Sequence, residues 1–337
     1  MNFILKNAKL SILALIICFG FTSCDEDDDF QFEDDVVVTP DPGPDPMPVS
    51  IIDFVNNNDD YSSLAAAIEA AGLTATLDGD TEYTVFAPDN DAFQALLDSN
   101  EDWSELGDIP VDVLTLVLMN HVQPGIVMST DLETGYIPSL AEAGPDGEAV
   151  SLYINVGDVV TLNGMSDVET ADIEVDNGVI HAVDAVIGLP DVTTFALADP
   201  TFSILVEALT FDDSYTFVET LQDEGPYTVF APTDDAFAAL LEELEISGLG
   251  DLDSDLLADV LSYHVVTGAN VTSDELTNGM AVTTFLGEDF TVNLAADSNN
   301  VSITDVNSRT ANVVAANVQA TNGVIHAIDM VLLPTLE

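Results

Sequence analysis

The four histidines are the first residues to consider for chemistry, because an imidazole can act as a general acid, a general base or a metal ligand near neutral pH. All four lie in blocks that occur twice in the chain. Residues 119–122 (MNHV) correspond to 262–265 (SYHV), and residues 177–184 (NGVIHAVD) correspond to 322–329 (NGVIHAID). The histidines therefore have to be interpreted as two equivalent pairs.

The surroundings of these histidines favour packing over catalysis. His121 and His264 fall on apolar helical stripes, each seven residues after a leucine, and His181 and His326 alternate with valine or isoleucine on one face of a strand. Such positions are typical of hydrogen-bonded imidazoles at the edge of a core. Two histidines per repeat, without cysteine or a His-x-x-x-His spacing, are too few for a zinc site. No metal ligand is predicted.

Other catalytic patterns are also incomplete. The sequence has no Gly-x-Ser-x-Gly elbow, and Ser262 near His264 is a matter of sequence proximity only. Asp251, Asp253 and Asp255 begin like a calcium loop, but the glycine and the final glutamate that an EF-hand needs are missing. We therefore predict no catalytic residue, no enzyme activity and no cofactor, and a hydrolase with a site hidden from sequence remains the less favoured alternative.

A ten-residue box provides the framework around the histidines. Residues 84–93 (TVFAPDNDAF) and 228–237 (TVFAPTDDAF) match at eight of ten positions. Each copy predicts a strand that ends at proline, followed by a helix that is capped by Asp89 or Thr233. The offsets between the copies of the three blocks are 144, 143 and 145 residues. Such a constant register indicates one domain of roughly 140 residues used twice.

The remaining patterns predict helices first and strands afterwards in each repeat. Asn58 and Asp199 are expected to cap apolar helical stripes, and further helices are expected at 113–121 and 256–264. Strands are expected at 150–155, 159–163, 168–175 and 179–187, with Asn-Gly hairpin turns at 177–178 and 322–323. This order indicates the α+β class.

The box, the central histidine block and the NGVIHA block together resemble the signature of the fasciclin (FAS1) domain family. The resemblance implies two tandem FAS1-like domains, at 49–190 and 191–337, each an antiparallel β-sandwich or wedge flanked by helices. It also implies a role in cell adhesion through polysaccharide, matrix or cell-surface protein. In the family, a Tyr-His pair in the central block is implicated in receptor binding, so Tyr263 and His264 become candidate binding residues. The alternative is that Tyr263 packs on the sheet and His264 caps its helix.

The first 48 residues predict export and anchoring. Lys6 and Lys9 precede an apolar run that ends in Phe-Thr-Ser-Cys, which indicates a lipoprotein signal peptide at 1–23 and lipidation of Cys24. Cleavage nearby by an ordinary signal peptidase is the alternative. Residues 24–48 are acidic and proline-rich, which predicts an extended tether. We expect a lipid-anchored protein of the outer membrane, displayed at the cell surface, that contacts the membrane through this anchor only.

Charge limits the partners. After residue 23 the chain has 62 acidic residues and a single basic residue, Arg309, for a formal charge of −61. Such a surface repels nucleic acid, and its scattered carboxylates can bind divalent cations loosely. Polysaccharide, matrix or a surface protein are the expected partners. Capture of carbohydrate for nutrient uptake is the alternative, although the single tryptophan, Trp103, offers no aromatic platform for sugars.

Overall fold

The structure is a computed structural model that describes residues 49–295 and 301–335. The predicted signal peptide, Cys24 and the tether lie outside the described residues. Among the single helices of the described part, none is both long and apolar enough to cross a bilayer. Two consecutive helical segments, 192–198 and 200–209, are together long and apolar enough to cross a bilayer, but they meet at a bend of 97°.

The first repeat begins with a helical layer and continues into a sheet. Its helices are α1 (Ile51–Asn56), α2 (Ser62–Ala70), α3 (Thr74–Leu77), α4 (Asn90–Asp98) and α5 (Val111–Asn120), with short 3₁₀ helices at Asp59–Tyr61, Leu106–Asp108 and Ser129–Asp131. Its strands are β1 (Tyr83–Pro88), β2 (Val122–Pro124), β3 (Gly135–Glu142), β4 (Ala149–Val156), β5 (Val160–Leu162), β6 (Ser166–Val175) and β7 (Gly178–Val183).

The second repeat has the same order of elements. Its helices are α6 (Val192–Ala198), α7 (Ser203–Leu209), α8 (Phe217–Leu221), α9 (Asp234–Glu243) and α10 (Ser254–Tyr263), with 3₁₀ helices at Pro200–Phe202 and Leu249–Asp251. Its strands are β8 (Tyr227–Pro232), β9 (Val265–Thr267), β10 (Ala281–Thr283), β11 (Asp289–Leu294), β12 (Val301–Thr304), β13 (Thr310–Ala320) and β14 (Gly323–Ile328).

Each repeat folds around one seven-stranded mixed sheet. The strand order is β2-β1-β7-β6-β5-β4-β3 in the first repeat, and the equivalent strands of the second repeat follow the same order. All neighbouring strands are antiparallel except β1 with β7 and β8 with β14, which are parallel. The α+β class and the two tandem domains are confirmed, and the parallel pair is the departure from an all-antiparallel sheet. It joins the TVFAP box to the NGVIHA block, about 95 residues later.

Each sheet is buried on both faces near its parallel pair. In the first repeat, the helices and one face of β1 and β7 form one apolar cluster, which includes Phe93, Leu114 and Ile180. The other face forms a second cluster, in which Phe86 of β1 packs with Leu152 of β4. The sheet therefore curls so that β4, near one edge, packs over β1, near the other edge. This arrangement explains why β1 and β7 are buried along almost their whole length.

The Asn-Gly pairs do occur at hairpins, but they are not the two central turn residues that the sequence predicted. The turn between β6 and β7 lies at residues 176–177, and Gly178 already pairs with Val175. The side chain of Asn177 is buried instead of solvated: its Oδ1 accepts from the Ile51 amide, and its Nδ2 donates to the carbonyls of Leu77 and Gly79. Asn322 makes the equivalent bonds to Val192, Leu221 and Asp223. The asparagine thus ties the helical layer to the sheet.

Gly178 is required by the closeness of the parallel strand. A Cβ atom at Gly178 would lie 2.0 Å from the carbonyl oxygen of Tyr83, and one at Gly323 would lie 2.3 Å from that of Tyr227. Both obstacles are backbone atoms, which cannot rotate away. The Asn-Gly pair, which the sequence suggests as a turn, therefore reflects the close approach of two parallel strands.

We predict that Gly178→Ala lowers the free energy of unfolding by about 3 kcal/mol, because the added methyl group must push β1 and β7 apart. Gly188→Ala is the matched control, since a Cβ atom there meets nothing within 4 Å. Urea unfolding of both variants checks this. Equal stability of the two variants would contradict the proposed close contact.

Candidate functional site

The central-block histidines are interior hydrogen-bonding groups. His121 Nδ1 donates to the Val117 carbonyl at 2.7 Å, and its Nε2 accepts from the Ile187 amide at 2.8 Å. His264 makes the same bonds to Val260 and Leu332. Each ring therefore joins the end of a helix to the segment that follows the last strand of its repeat. Burial lowers the pKa of both histidines to about 4, so both rings are neutral near pH 7.

The NGVIHA histidines bind irregular backbone with the opposite tautomer. The Nε2 atoms of His181 and His326 donate to the carbonyls of Val127 and Val271. Their Nδ1 atoms accept from the amides of Asp172 and Asn317, both of which lie at register shifts in β6 and β13 with positive φ. The ring satisfies an amide that the bulge removes from the strand ladder. Both nitrogens of all four histidines are thus bonded to the backbone.

The candidate binding pair lies inside the second repeat. Tyr263 has no exposed surface, and 3% of His264 is exposed. The Tyr263 hydroxyl donates to the Asp289 carbonyl, and its ring packs edge-on against Phe290. In the first repeat, Asn120 occupies the position of Tyr263 and donates to the carbonyls of Ile187 and Gly188. Direct binding by Tyr263 and His264 stays a prediction, and it would require the segment around Asp289 to open.

Within residues 49–295 and 301–335, no group of three or more histidine, cysteine or acidic side chains is placed to hold a metal ion. Asp251 instead accepts from Ser247, and Asp253 caps α10. These carboxylates have local structural partners.

The feature that sequence reasoning missed is the junction between the two repeats. Tyr136 of β3 and Tyr153 of β4 cross from the first repeat and donate to opposite oxygens of the Asp199 carboxylate, at 2.8 and 3.3 Å. Asp199 is 7% exposed, and Thr201 donates to it through both its amide and its hydroxyl. Burial, followed by the charge of Asp199, raises the pKa of Tyr136, and the same causes raise the pKa of Tyr153 to about 12. Both phenols therefore stay protonated donors.

Other contacts extend the junction. Tyr153 belongs to the apolar core of the second repeat, and the ring of Tyr136 packs edge-on against Phe195 of α6. The backbone amide of Gln319 in β13 donates to the Ser151 hydroxyl of β4 at 3.0 Å. The short connection between the repeats thus runs along a packed interface, and the Pro190 carbonyl within it accepts from the amide and hydroxyl of Thr321.

The equivalent surfaces of the two repeats differ at the junction residues. Counting through the strand registers, Tyr136 and Tyr153 correspond to Ala281 and Thr291 of the second repeat. The position of Asp199 is held by Asn58 in the first repeat, where it only caps its own 3₁₀ helix. A tyrosine pair on one repeat and a buried acid on the other is the signal that a comparison of the repeats could have found.

A cleft of about 580 Å³ opens beside this junction. Tyr136 and Phe202 contribute apolar surface, and Asp199, Asp234 and Asp329 contribute carboxylates. Asp234 accepts from Ser203 and the Ile204 amide, and Asp329 accepts from Asn312. The cleft is acidic, and the carboxylates of Asp199, Asp234 and Asp329 are occupied by local bonds.

Comparison with known proteins places this chain among fasciclin-domain proteins. The family model described as "Fasciclin domain" matches residues 59–190 and again residues 200–334. The solved FAS1 domain pair from the insect cell adhesion molecule Fasciclin I aligns with 82% of this chain and 97% of its own length, with a TM-score of 0.51 and 21% identity. That similarity supports a shared fold.

Curated relatives match in sequence over different shares of their length. Protein sll1483 of Synechocystis sp. is 37% identical over 174 residues, which are 51% of this chain and 90% of the relative. Periostin of Homo sapiens is 29% identical over 249 residues, 72% of this chain but only 27% of periostin. The protein ig-h3 of Oryctolagus cuniculus is 30% identical over 279 residues, 81% of this chain and 36% of the relative.

The buried histidines predict an acid-dependent loss of stability. An unfolded histidine binds a proton near pH 6.5, whereas folded His264 stays neutral to about pH 4. The stability that the neutral ring contributes is therefore complete above about pH 6.5 and is lost as the pH falls towards 4, by about 3 kcal/mol.

We expect the advantage of the wild type over His264→Gln in unfolding free energy to shrink by this amount across that range, measured by urea unfolding at several pH values. The carboxylates titrate in both proteins, so the difference isolates the histidine. Leu261→Ala, on the same helix, should differ from the wild type by a constant amount. A constant difference for His264→Gln would contradict the assignment.

Removing a single tyrosine hydroxyl at the junction should lower the free energy of unfolding. Tyr136→Phe should lower the free energy of unfolding by about 2 kcal/mol, because a hydrogen bond to a largely buried carboxylate is lost while the ring is kept. Tyr83→Phe, away from the junction, is the control and should change stability by under about 0.5 kcal/mol. Thermal and urea unfolding check both variants, and indistinguishable values would show that the tyrosine–aspartate contact does not stabilise the pair.

Proposed function

The chain belongs to the fasciclin domain family, and on that basis we propose that it is a non-catalytic adhesion protein of the cell surface that binds polysaccharide, matrix or another surface protein. The observation that carries this proposal is the twofold match to the fasciclin domain, across most of the chain, together with the fold of a pair from a cell adhesion molecule. Fasciclin domains are found in cell-adhesion proteins.

The junction supports this role physically. Adhesion requires a binding surface to keep its geometry while force acts on the chain. Two repeats that share a buried carboxylate and an apolar core resist bending better than two repeats on a free linker. The charge of −61 then disfavours anionic partners and leaves neutral polymers, cationic surfaces or cation-bridged contacts.

We further propose that Cys24 carries a lipid anchor in the outer membrane and that residues 24–48 hold the pair away from it. The support is the signal-like sequence of residues 1–23 and the acidic, proline-rich composition that follows. Capture of carbohydrate for uptake is the second candidate, because the junction carries concave surfaces of suitable size.

Beads that carry the oriented, full mature chain test the adhesion proposal. They should bind at least one of a panel of neutral polysaccharides, matrix preparations and whole cells more strongly than beads with an equally acidic unrelated protein. The bound polymer should be recovered at unchanged length. Binding equal to the control, or shortening of the polymer, would overturn the proposal.

The anchor is tested with Cys24→Ala expressed in the native cell envelope. The wild type should partition into a detergent phase and show an acylated N-terminal peptide by mass spectrometry, whereas the variant should remain in the aqueous phase. A wild-type mature terminus elsewhere, without acyl chains, would contradict lipidation at this position.

A further inference from the structure

A second, smaller cleft lies beside the junction and has the properties of a binding site. It has a volume of about 210 Å³. One wall is the turn at residues 163–165 of the first repeat, and the other is formed by α6 of the second repeat with Gln222. Both repeats therefore contribute to it, and the contacts that fix the junction also fix its shape.

Asn163, which lines the cleft, carries a buried hydrogen-bond donor that has no acceptor in the described part of the chain. Asn163 is 2% exposed, and its Oδ1 accepts from the Tyr153 amide at 2.8 Å, which identifies the other amide atom as Nδ2. Among the described residues, Nδ2 has no hydrogen-bond partner. A buried amide left in this state costs roughly 1–3 kcal/mol, so the site is set up to receive an oxygen from outside the protein.

Acceptors face the same space. Asp191 caps α6 with its Oδ1, which takes hydrogen bonds from Thr193 and Thr194, and within the described residues its Oδ2 takes none. Gln222 donates through Nε2 to Thr193, which leaves its own carbonyl oxygen free of described donors. A ligand that satisfies the cleft must therefore both accept and donate hydrogen bonds.

Two large apolar side chains line the cleft and are largely exposed to solvent. Leu197 is 69% exposed and Met165 is 56% exposed, although both are large hydrophobic residues. Exposed apolar groups beside a few converging polar atoms are the usual composition of a small-molecule site. They suit the C–H face of a ring whose edge carries the polar groups.

We propose that this cleft binds one neutral sugar residue of a polysaccharide. A hydroxyl accepts from Asn163 Nδ2, a second hydroxyl donates to Asp191 Oδ2, and the ring face lies against Leu197 and Met165. The volume is below the roughly 300–1,000 Å³ of drug-sized pockets, which fits a single ring. The carboxylate of Asp191 and the overall charge oppose a uronic or sulfated sugar.

This inference rests on the proposed polysaccharide-binding function and specifies where that function resides. It also requires the junction, because Asn163 is oriented by the Tyr153 amide while the Tyr153 hydroxyl contacts Asp199. The same strand residue thus connects the rigid interface with the donor in the cleft.

The test is titration of the full mature chain with methyl glycosides of neutral hexoses, followed by NMR. At least one glycoside should shift the Asn163 side-chain amide signals. Asn163→Asp keeps the acceptor for Tyr153 but removes the donor, and it should weaken binding about tenfold. Leu197→Ala, at an exposed position, should weaken binding several-fold without changing the melting temperature. Leu244→Ala, at the exposed leucine that directly follows α9, is the control and should bind within about twofold of the wild type.

Absence of any glycoside shift at Asn163 would overturn the inference, as would equal binding by Leu197→Ala and the wild type, or tighter binding of a uronic acid than of neutral sugars. Should Asn163→Asp fail to fold, Leu197→Ala and the Asn163 signals of the wild type still decide the matter. Bead adhesion of Leu197→Ala equal to that of the wild type, with no glycoside shift at Asn163, would reject this cleft while leaving the adhesion function intact.

Discussion

The buried carboxylate of Asp199 is the constraint on which the arrangement of the two repeats depends. Removing a carboxylate from water is costly unless its oxygens are satisfied, and here four donors surround it, two of them phenols from the other repeat. Separating the repeats would leave the tyrosine rings in water and break the two phenol bonds to Asp199. The surrounding apolar contacts of Tyr153 and Phe195 add to the same cost. The two repeats therefore behave as one body, and the clefts along the junction keep a fixed shape.

Much of each repeat could be predicted because its signals are local. The caps at Asp89 and Thr233 follow from capping chemistry and are confirmed. The helices predicted from apolar spacing at 113–121 and 256–264 are found at Val111–Asn120 and Ser254–Tyr263, each ending one residue before its histidine. Strand β3 was missed because Pro138 interrupts it, which an edge strand tolerates. The Asn-Gly pairs were assigned to turns because their real constraint, a backbone oxygen of a strand 95 residues away in sequence, has no local signal.

The junction could not be predicted from spacing, since its partners are distant in sequence and individually ordinary. Tyr136 and Tyr153 look like strand residues, and Asp199 looks like a helix cap, which it also is. These three residues are distinguished only by comparison with the other repeat, where the equivalent positions hold different residues. Residue type does not mark Asn163 either, since what distinguishes it is a side-chain Nδ2 without a partner among residues 49–295 and 301–335. The repeated blocks thus describe how each domain folds, whereas the unrepeated residues describe what the pair can do.

NMR relaxation of amides in the two repeats measures whether the junction is rigid. A single rigid body predicts that amides of β1 and of β8 report one common rotational diffusion tensor, with one alignment tensor fitting the residual dipolar couplings of both repeats. Separate tensors, with a shorter correlation time for each repeat than the whole chain would have, would show two independently moving domains and would contradict a rigid junction.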